Sequence, residues 1–381
     1  MRGHIRKRGR RWIVVVNLGR DPQTKKRRQV WYSHKTSSEA EAHLAQILSA
    51  MHGGGWTAPA KIRFGDFCEQ WLRDYAAGAV GPVTLRNYRT IIRTHLVPKL
   101  GHVPLDRLSA QAIQGYLSEM LRNGGTRQQG LHPNSVHKDY RVLREILGHA
   151  VRWGYLGRNP AAMADPPKQR RREVQVWDEE QVRLFLAKAR TSPYSPLYLT
   201  AILTGMRSGE VAGLRWRDTN LTLGVASVRQ SFTRLGRVQL FKEPKTAAAR
   251  RAIALPAAVV EALHAVRADQ EANKRILGTE YQDHDLVFAQ VDGKPLHMHN
   301  IVRRDFRRVM KEAKVPRITF HDLRHAHASY LARAGVPAKV AQERLGHATP
   351  HFTMAVYTHT LAGQQEAAAR AVEAFVLGRP S

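Results

Sequence analysis

Residues 319–359 read TFHDLRHAHASYLARAGVPAKVAQERLGHATPHFTMAVYTH. His321 and Arg324 stand three apart where a helical pattern begins, so they share one face. The pattern passes through Leu323, Ala326, Tyr330 and Leu331 and stops near Gly335, a residue suited to the position just after a helix. Pro337 fits the first turn of a second short helix, which ends at Leu345-Gly346. His347 follows, and Tyr357 comes ten residues later. An Arg offers a planar fork that fits two oxygens of one phosphate. A His donates to a further oxygen or moves a proton. A Tyr hydroxyl, with a pKa of about 10 when free, becomes a nucleophile when its proton is removed beside positive charge. Brought together, these groups on short helices would make a phosphoryl-transfer site without a metal.

Two further pieces lie upstream. Leu203-Thr204-Gly205-Met206-Arg207-Ser208-Gly209-Glu210 puts a second Arg in a glycine-flanked turn before a helix. Glu210 is able to hold a guanidinium or a neighbouring His, or to serve simply as a first-turn helix acid. Glu243-Pro244-Lys245-Thr246 puts a Lys where a hairpin tip is expected, between strands 237–241 and 251–256. The order Arg207, Lys245, His321, Arg324, His347, Tyr357 resembles the tyrosine recombinase (phage integrase) family, and the resemblance covers nearly the whole chain. It implies that Tyr357 forms a covalent 3′-phosphotyrosine on DNA, with the other five as catalytic residues. Arg207 and Arg324 would bind the phosphate, Lys245 would act as general acid, and Glu210 would support from behind. His325 and His327 are expected to pack or to support the site.

Composition agrees with a nucleic-acid partner. Lys and Arg number 61 against 31 Asp and Glu, a formal charge of +30 over 381 residues. That excess points to a polyanion, while 43% apolar residues are enough for buried cores. The single Cys68 rules out an internal disulfide framework and falls on the apolar side of a helical pattern. No apolar run is long enough to span a bilayer, and the basic N-terminus lacks a secretory apolar stretch. A soluble cytoplasmic, nucleoid-associated protein is expected, with no membrane partner.

Three domains are expected, mainly α with small β-sheets. Residues 1–57 read as a three-stranded sheet plus a helix: β-rich runs at 5–7, 12–19 and 29–33, then a helix from Ser37-Ser38 with Ser38 and Glu41 at capping-box spacing. This segment looks like the arm-type DNA-binding domain of phage integrases, with Arg6, Lys7, Arg8, Arg10 and Arg11 toward DNA. Gly53-Gly54-Gly55 reads as a linker. Residues 58–165 carry four or five helical patterns, with a turn at Val97-Pro98-Lys99-Leu100-Gly101 and a long helix from Pro133 to Trp153. By resemblance this is the all-α, SAM-like core-binding domain. A basic linker follows, with Lys168, Arg170, Arg171 and Arg172 able to lie along phosphates. Residues 174–381 read as an α+β catalytic domain, with Arg250 and Arg251 also expected on the DNA backbone. An amphipathic helix at 364–376 closes the chain.

The resemblance implies double-stranded DNA attachment sites as partner and a homotetramer at synapsis. The arm-like segment is compatible with a DNA-bending host protein and an excisionase. No cofactor and no metal are expected: there is no Walker A or dinucleotide loop, and His347 and His351 lack the Glu of a His-Glu-x-x-His motif. A type IB topoisomerase-like relaxing enzyme would share the chemistry, and an inactive DNA-binding regulator would share the basic surfaces. The arm-like segment and the complete residue set favour a recombinase.

Overall fold

A computed structural model describes residues 3–20, 27–52, 62–125, 128–170, 175–236, 238–243, 250–346 and 373. The chain divides into two compact units, Met1–Arg172 and Glu173–Ser381.

The first unit begins with strands β1 (Gly3–Arg8), β2 (Arg11–Arg20) and β3 (Arg27–His34), antiparallel in that order, followed by helix α1 (Ser37–His52). Side chains alternate across a strand. Ile5, Trp12, Val14, Val16 and Tyr32 therefore pack with Ala40, Leu44 and Ile47 of α1. The register pairs Arg6 with Ile13, Arg8 with Arg11, and Val15 with Trp31, so these residues share the other face. The cap of α1 differs from the expected Ser38–Glu41 box. Thr36 Oγ1 accepts from Glu39 N at 3.2 Å, and Glu39 accepts from Lys35 N. The helix starts at Ser37 as the sequence indicates, but its capping side chain is Thr36, two residues before Ser38.

An all-α layer follows: α2 (Phe64–Trp71), α3 (Ala77–Ala79), α4 (Pro82–Ile91), α5 (Val97–Leu100), α6 (Ala110–Asn123) and α7 (Pro133–Arg152). Phe64, Phe67, Trp71, Ile92, Leu96, Ile113, Leu143 and Ile146 form its core, with Cys68 buried among them. Ser109 caps α6, its hydroxyl accepting from Ala112 N at 3.1 Å. The expected turn at 97–101 is instead helix, ending at Gly101. A wider π-turn over Ile92–Leu96 precedes α5, and Pro98 falls in the first turn of α5, where its missing N–H is tolerated. Asp139 is fully buried, and Tyr116 donates to it at 3.2 Å while His95 lies at 2.8 Å, so one carboxylate ties three helical segments together. The linker is anchored as well: Asn134 exchanges two side-chain hydrogen bonds with the backbone of Arg170.

The second unit opens with α8 (Glu179–Ala189), whose Asp178–Gln181 capping box forms as the sequence indicates. Next come α9 (Ser195–Thr204) and α10 (Ser208–Ala212). Strands β4 (Thr219–Asn220), β5 (Val225–Val228), β6 (Ser231–Leu235), β7 (Val238–Lys242) and β8 (Arg251–Ala254) precede α11 (Ala257–Leu277). Helices α12 (Met298–Ile301), α13 (Arg307–Glu312), α14 (Asp322–Arg333) and α15 (Ala338–Leu345) complete the described chain. Trp177, Phe185, Tyr198, Phe306 and Phe320 fill the core around α9. Burying each large ring contributes roughly 2–3 kcal/mol.

Here the strand layout corrects the hairpin expected around Lys245. β7 pairs with β6, and β8 pairs with β5 in a separate sheet, so the strands that flank residues 244–249 are not partners. β6 escaped the sequence reading because Ser231, Thr233 and Arg234 interrupt its apolar pattern.

Candidate active site

Three segments meet where α9 ends. The αL conformation of Gly205 (φ 66°) terminates α9, and a β-carbon there would stand 2.5 Å from His327 Cδ2 and 2.9 Å from Leu345 Cδ2. Only glycine lets α9, α14 and α15 approach this closely. Arg207 follows in extended conformation as the N-cap of α10. Thr319 and Asp322 exchange bonds at the start of α14: Thr319 N donates to Asp322 Oδ2 at 2.7 Å and Asp322 N to Thr319 Oγ1 at 3.3 Å. This fixes His321 as the N-cap and brings Arg324 one turn in.

Both arginines grip the end of α15. Arg324 Nη1 donates to Gly205 O at 2.8 Å and its Nη2 to Leu345 O. Arg207 Nη2 donates to Gly346 O at 3.1 Å. Arg324 is 3% exposed, whereas the Arg207 side chain is 39% exposed. Burial and the nearby Arg207 pull the Arg324 pKa down to about 9. His321 opens to solvent on one side. Desolvation beneath it, and then His325, Arg324 and Arg207, hold its pKa below the ordinary value.

Glu210 holds Arg207 through both of its carboxylate oxygens. Its Oε1 accepts from Arg207 Nη1 at 2.6 Å and its Oε2 from Arg207 N at 2.9 Å. Burial by itself would raise its pKa; the bonds from Arg251 and Arg207 outweigh that and leave it below the usual carboxylate range. His327 is buried behind the arginines. Arg344 Nε donates to its Nε2 at 3.2 Å, so its Nδ1 carries the proton and donates to Ile202 O at 3.0 Å. Burial and Arg344 lower the His327 pKa to about 4.

Arg251 corrects an expectation. Placed on the DNA backbone by sequence, its side chain is only 6% exposed and donates to Glu210 Oε2 at 2.8 Å and, through Nε, to Arg344 O at 2.6 Å. Its guanidinium turns inward to Glu210 and the end of α15. Arg250 remains outside, beside Glu243 at 2.7 Å. Arg344, missed in the sequence, also bonds Leu203 O and Ala254 O at 3.2 Å. The only signal for it was its position directly before Leu345-Gly346-His347. Lys245, His347 and Tyr357 lie outside the described residues, as do Arg171, Arg172, the 53–55 glycines and the 364–376 segment apart from Glu373.

In the first unit, Arg6, Lys7, Arg8, Arg10 and Arg11 are all exposed. Register sorts them: Arg6, Arg8 and Arg11 share the face away from α1, Lys7 lies on the α1 side near Trp12, and Arg10 is in the β1–β2 turn. The Arg6 guanidinium lies 4.3 Å from the centre of the Trp31 ring. Gln29 donates to Asn17 at 2.5 Å on the same face. Asn17, Gln29 and Trp31 were not singled out in the sequence, because strand register rather than composition brings them together. Lys168 and Arg170 are exposed.

Known proteins resemble the chain along most of its length. The phage integrase family model matches residues 175–364, and the model for the phage integrase N-terminal SAM-like domain matches residues 63–121. A tyrosine recombinase XerC-like protein of Caldanaerobacter subterraneus subsp. tengcongensis is 25% identical over 92% of this chain and 93% of its own. An integrase of Streptomyces ambofaciens is 29% identical over 93% of this chain and 90% of its own. Among solved structures, the Tn1549 transposon integrase in complex with transposon right end DNA superposes with a TM-score of 0.68 at 20% identity, covering 81% of this chain and 100% of that one. A lambda integrase tetramer bound to a Holliday junction gives 0.58 at 20% identity, covering 93% and 94%. With matching models on both units and relatives alike along nearly their whole lengths, the chain belongs to the tyrosine recombinase (phage integrase) family of DNA strand-transferases.

Proposed function

We propose that this integrase breaks and rejoins DNA at one phosphodiester through Tyr357. The phenol oxygen attacks phosphorus, the P–O5′ bond breaks, and a 3′-phosphotyrosine forms with release of a 5′ hydroxyl. Arg207 and the remaining N–H donors of Arg324 hold the non-bridging oxygens and stabilise transition-state charge. His321, kept neutral by its lowered pKa, is able to take the phenol proton. His347 binds a phosphate oxygen, and Lys245 protonates the departing 5′ oxygen. The phosphotyrosine conserves the phosphodiester bond energy, so a second 5′ hydroxyl reseals the strand without a nucleotide cofactor.

The observation that carries this reading is the grip of Arg207 and Arg324 on the Leu345 and Gly346 carbonyls. Those residues immediately precede His347, so the chain enters its His-to-Tyr segment from between the two arginines. The pocket also gathers four guanidinium groups, Arg207, Arg251, Arg324 and Arg344, of which Arg207 and Arg251 share the Glu210 carboxylate. Such a gathering of positive charge suits an anion.

Three domains divide the work in this proposal. Residues 1–57 bind arm-type sites through the open face carrying Arg6, Arg8 and Arg11; residues 58–165 bind core DNA, and the 174–381 domain carries the chemistry. The linker cations Lys168 and Arg170 to Arg172 track phosphates. Four copies act at synapsis, with a DNA-bending host protein and an excisionase biasing direction. The protein works at the nucleoid; no described helix is long and apolar enough to cross a membrane.

The test is a nicked duplex carrying the attachment site, which loses the short 5′-hydroxyl strand and traps the covalent intermediate. Wild-type protein should give the adduct in EDTA, and Tyr357→Phe should give none. An adduct of equal yield with Tyr357→Phe overturns the assignment.

A further inference from the structure

We propose that Arg251 is a positioning residue for strand cleavage, setting the orientation and the effective charge of Arg207 through Glu210. The proposal rests on the catalytic reading of Arg207 given above. Glu210 is held from two sides. Its Oε1 takes Arg207 Nη1 at 2.6 Å and Arg251 Nη1 at 3.3 Å; its Oε2 takes Arg207 N at 2.9 Å and Arg251 Nη2 at 2.8 Å. Both the Glu210 and Arg251 side chains are 6% exposed, so water competes little for these bonds.

Two consequences follow from this geometry. The first is mechanical. A planar fork on both carboxylate oxygens stops the Glu210 side chain from rotating, and Arg207 inherits that orientation. The second is electrostatic. Alone, Glu210 and Arg207 would form a closed neutral pair. Arg251 shares the same carboxylate, so Arg207 retains positive charge for a phosphate. Arg251 also reaches Arg344 O at 2.6 Å, in the last turn of α15, two residues before Gly346, whose carbonyl Arg207 holds. One guanidinium on the first residue of β8 thus ties this strand to the turn that leads into His347. β8 begins six residues after Lys245, so the same group links the strand leaving the lysine segment to the arginine pocket.

The experiment uses full-length protein and the nicked attachment-site duplex, comparing Arg251→Met, Arg251→Lys, Glu210→Gln and the Arg251→Met/Glu210→Gln double variant. Single-turnover adduct formation and affinity for the same duplex are both measured, with melting to show that each variant folds. Arg251→Met should slow adduct formation about 30- to 100-fold while affinity stays within about 3-fold, a loss confined to the transition state. Arg251→Lys should recover only part of the rate, since an ammonium lacks the fork. In the Glu210→Gln background, Arg251→Met should change the rate by less than about 3-fold, because the relay is already broken. Multiplicative losses in the double variant, equal losses of rate and affinity, or a normal rate in Arg251→Met would each overturn the proposal. If Arg251→Met fails to fold, Arg251→Lys in the two backgrounds carries the same comparison. Arg207→Ala serves as control: a normal rate there sinks the catalytic reading itself, whereas a dead Arg207→Ala beside a normal Arg251→Met sinks only the positioning role.

Discussion

The arginine pocket of the second unit and the open sheet face of the first are both built from guanidinium groups, and they use them in opposite ways. Around Gly205, the Arg324 and Arg251 side chains are almost wholly enclosed and bonded to backbone carbonyls or to Glu210. On the sheet, Arg6, Arg8 and Arg11 are exposed, and Arg6 rests on the half-exposed Trp31 ring. A pocket that stabilises a transition state needs charge fixed before the substrate arrives, since reorientation then costs nothing during reaction. A face that follows a phosphate backbone needs only charge, and mobile side chains suit it. The enclosed set should therefore govern rate, and the exposed set affinity and its salt dependence.

The largest effect separating the two is expected at Arg207. Arg207→Ala should slow adduct formation on the order of 10²–10³-fold, as for loss of one preorganised donor to a transition-state oxyanion. Its DNA affinity, measured by titration with the same duplex, should change far less. A loss of affinity as large as the loss of rate would erase the distinction drawn between the regions.

Next comes the packing that encloses the pocket. Gly205→Ala must adopt a positive φ and push its β-carbon against His327 and Leu345. Left-handed strain of roughly 1–2 kcal/mol and overpacking of about 1–3 kcal/mol should add, read as lowered denaturant stability. An exposed glycine such as Gly9, also at positive φ but with nothing within 4 Å of its β-carbon, should show only the first of these.

The pH dependence sharpens the comparison further. His327 titrates near 6.5 when unfolded and about 4 when folded, so the unfolded chain binds the proton more readily. The stabilisation is fully present above pH 6.5 and is lost as pH falls toward 4, in total on the order of 3 kcal/mol. His321 shifts in the same direction. Unfolding of the second unit should show this slope, and His327→Asn should flatten it. A slope unchanged by that substitution would place the titration elsewhere.

The smallest effect belongs to the sheet. Arg6→Ala should weaken DNA binding by about 0.5–1 kcal/mol and make the salt slope shallower by about 1, leaving the cleavage rate of bound complex and the melting temperature unchanged. A change in cleavage rate would show that the exposed set also acts on the chemistry.

The sequence carried the helices more fully than the sheets. Arg207, His321 and Arg324 were singled out by their order along the chain, since each alone is a weak signal, and the fold brings Arg207 and Arg324 together at the end of α15. The Asp178–Gln181 box and the Ser109 cap were legible as local helix-start signals. Strand partnership was not. Whether β7 pairs with β6 or with β8 depends on contacts beyond the loop, and residues 237–256 alone favoured a simple hairpin. The burial of Arg251 was hidden because an Arg in a run such as Arg250-Arg251 reads as surface charge. Alternation in β8 turns Arg251 inward to Glu210 and leaves Arg250, just before the strand, outside. The turn expected at Pro98 failed because the proline falls in the first turn of α5, where its missing N–H is tolerated.

The most direct test of the central claim is to digest the trapped protein–DNA adduct and identify, by mass spectrometry, the peptide that carries the nucleotide. The expected result is a phosphodiester on Tyr357 attached to the DNA 3′ end, with the early-time yield cut on the order of 10²–10³-fold in Arg207→Ala. A nucleotide on any other residue, a 5′ linkage, or full yield without Arg207 would contradict the account.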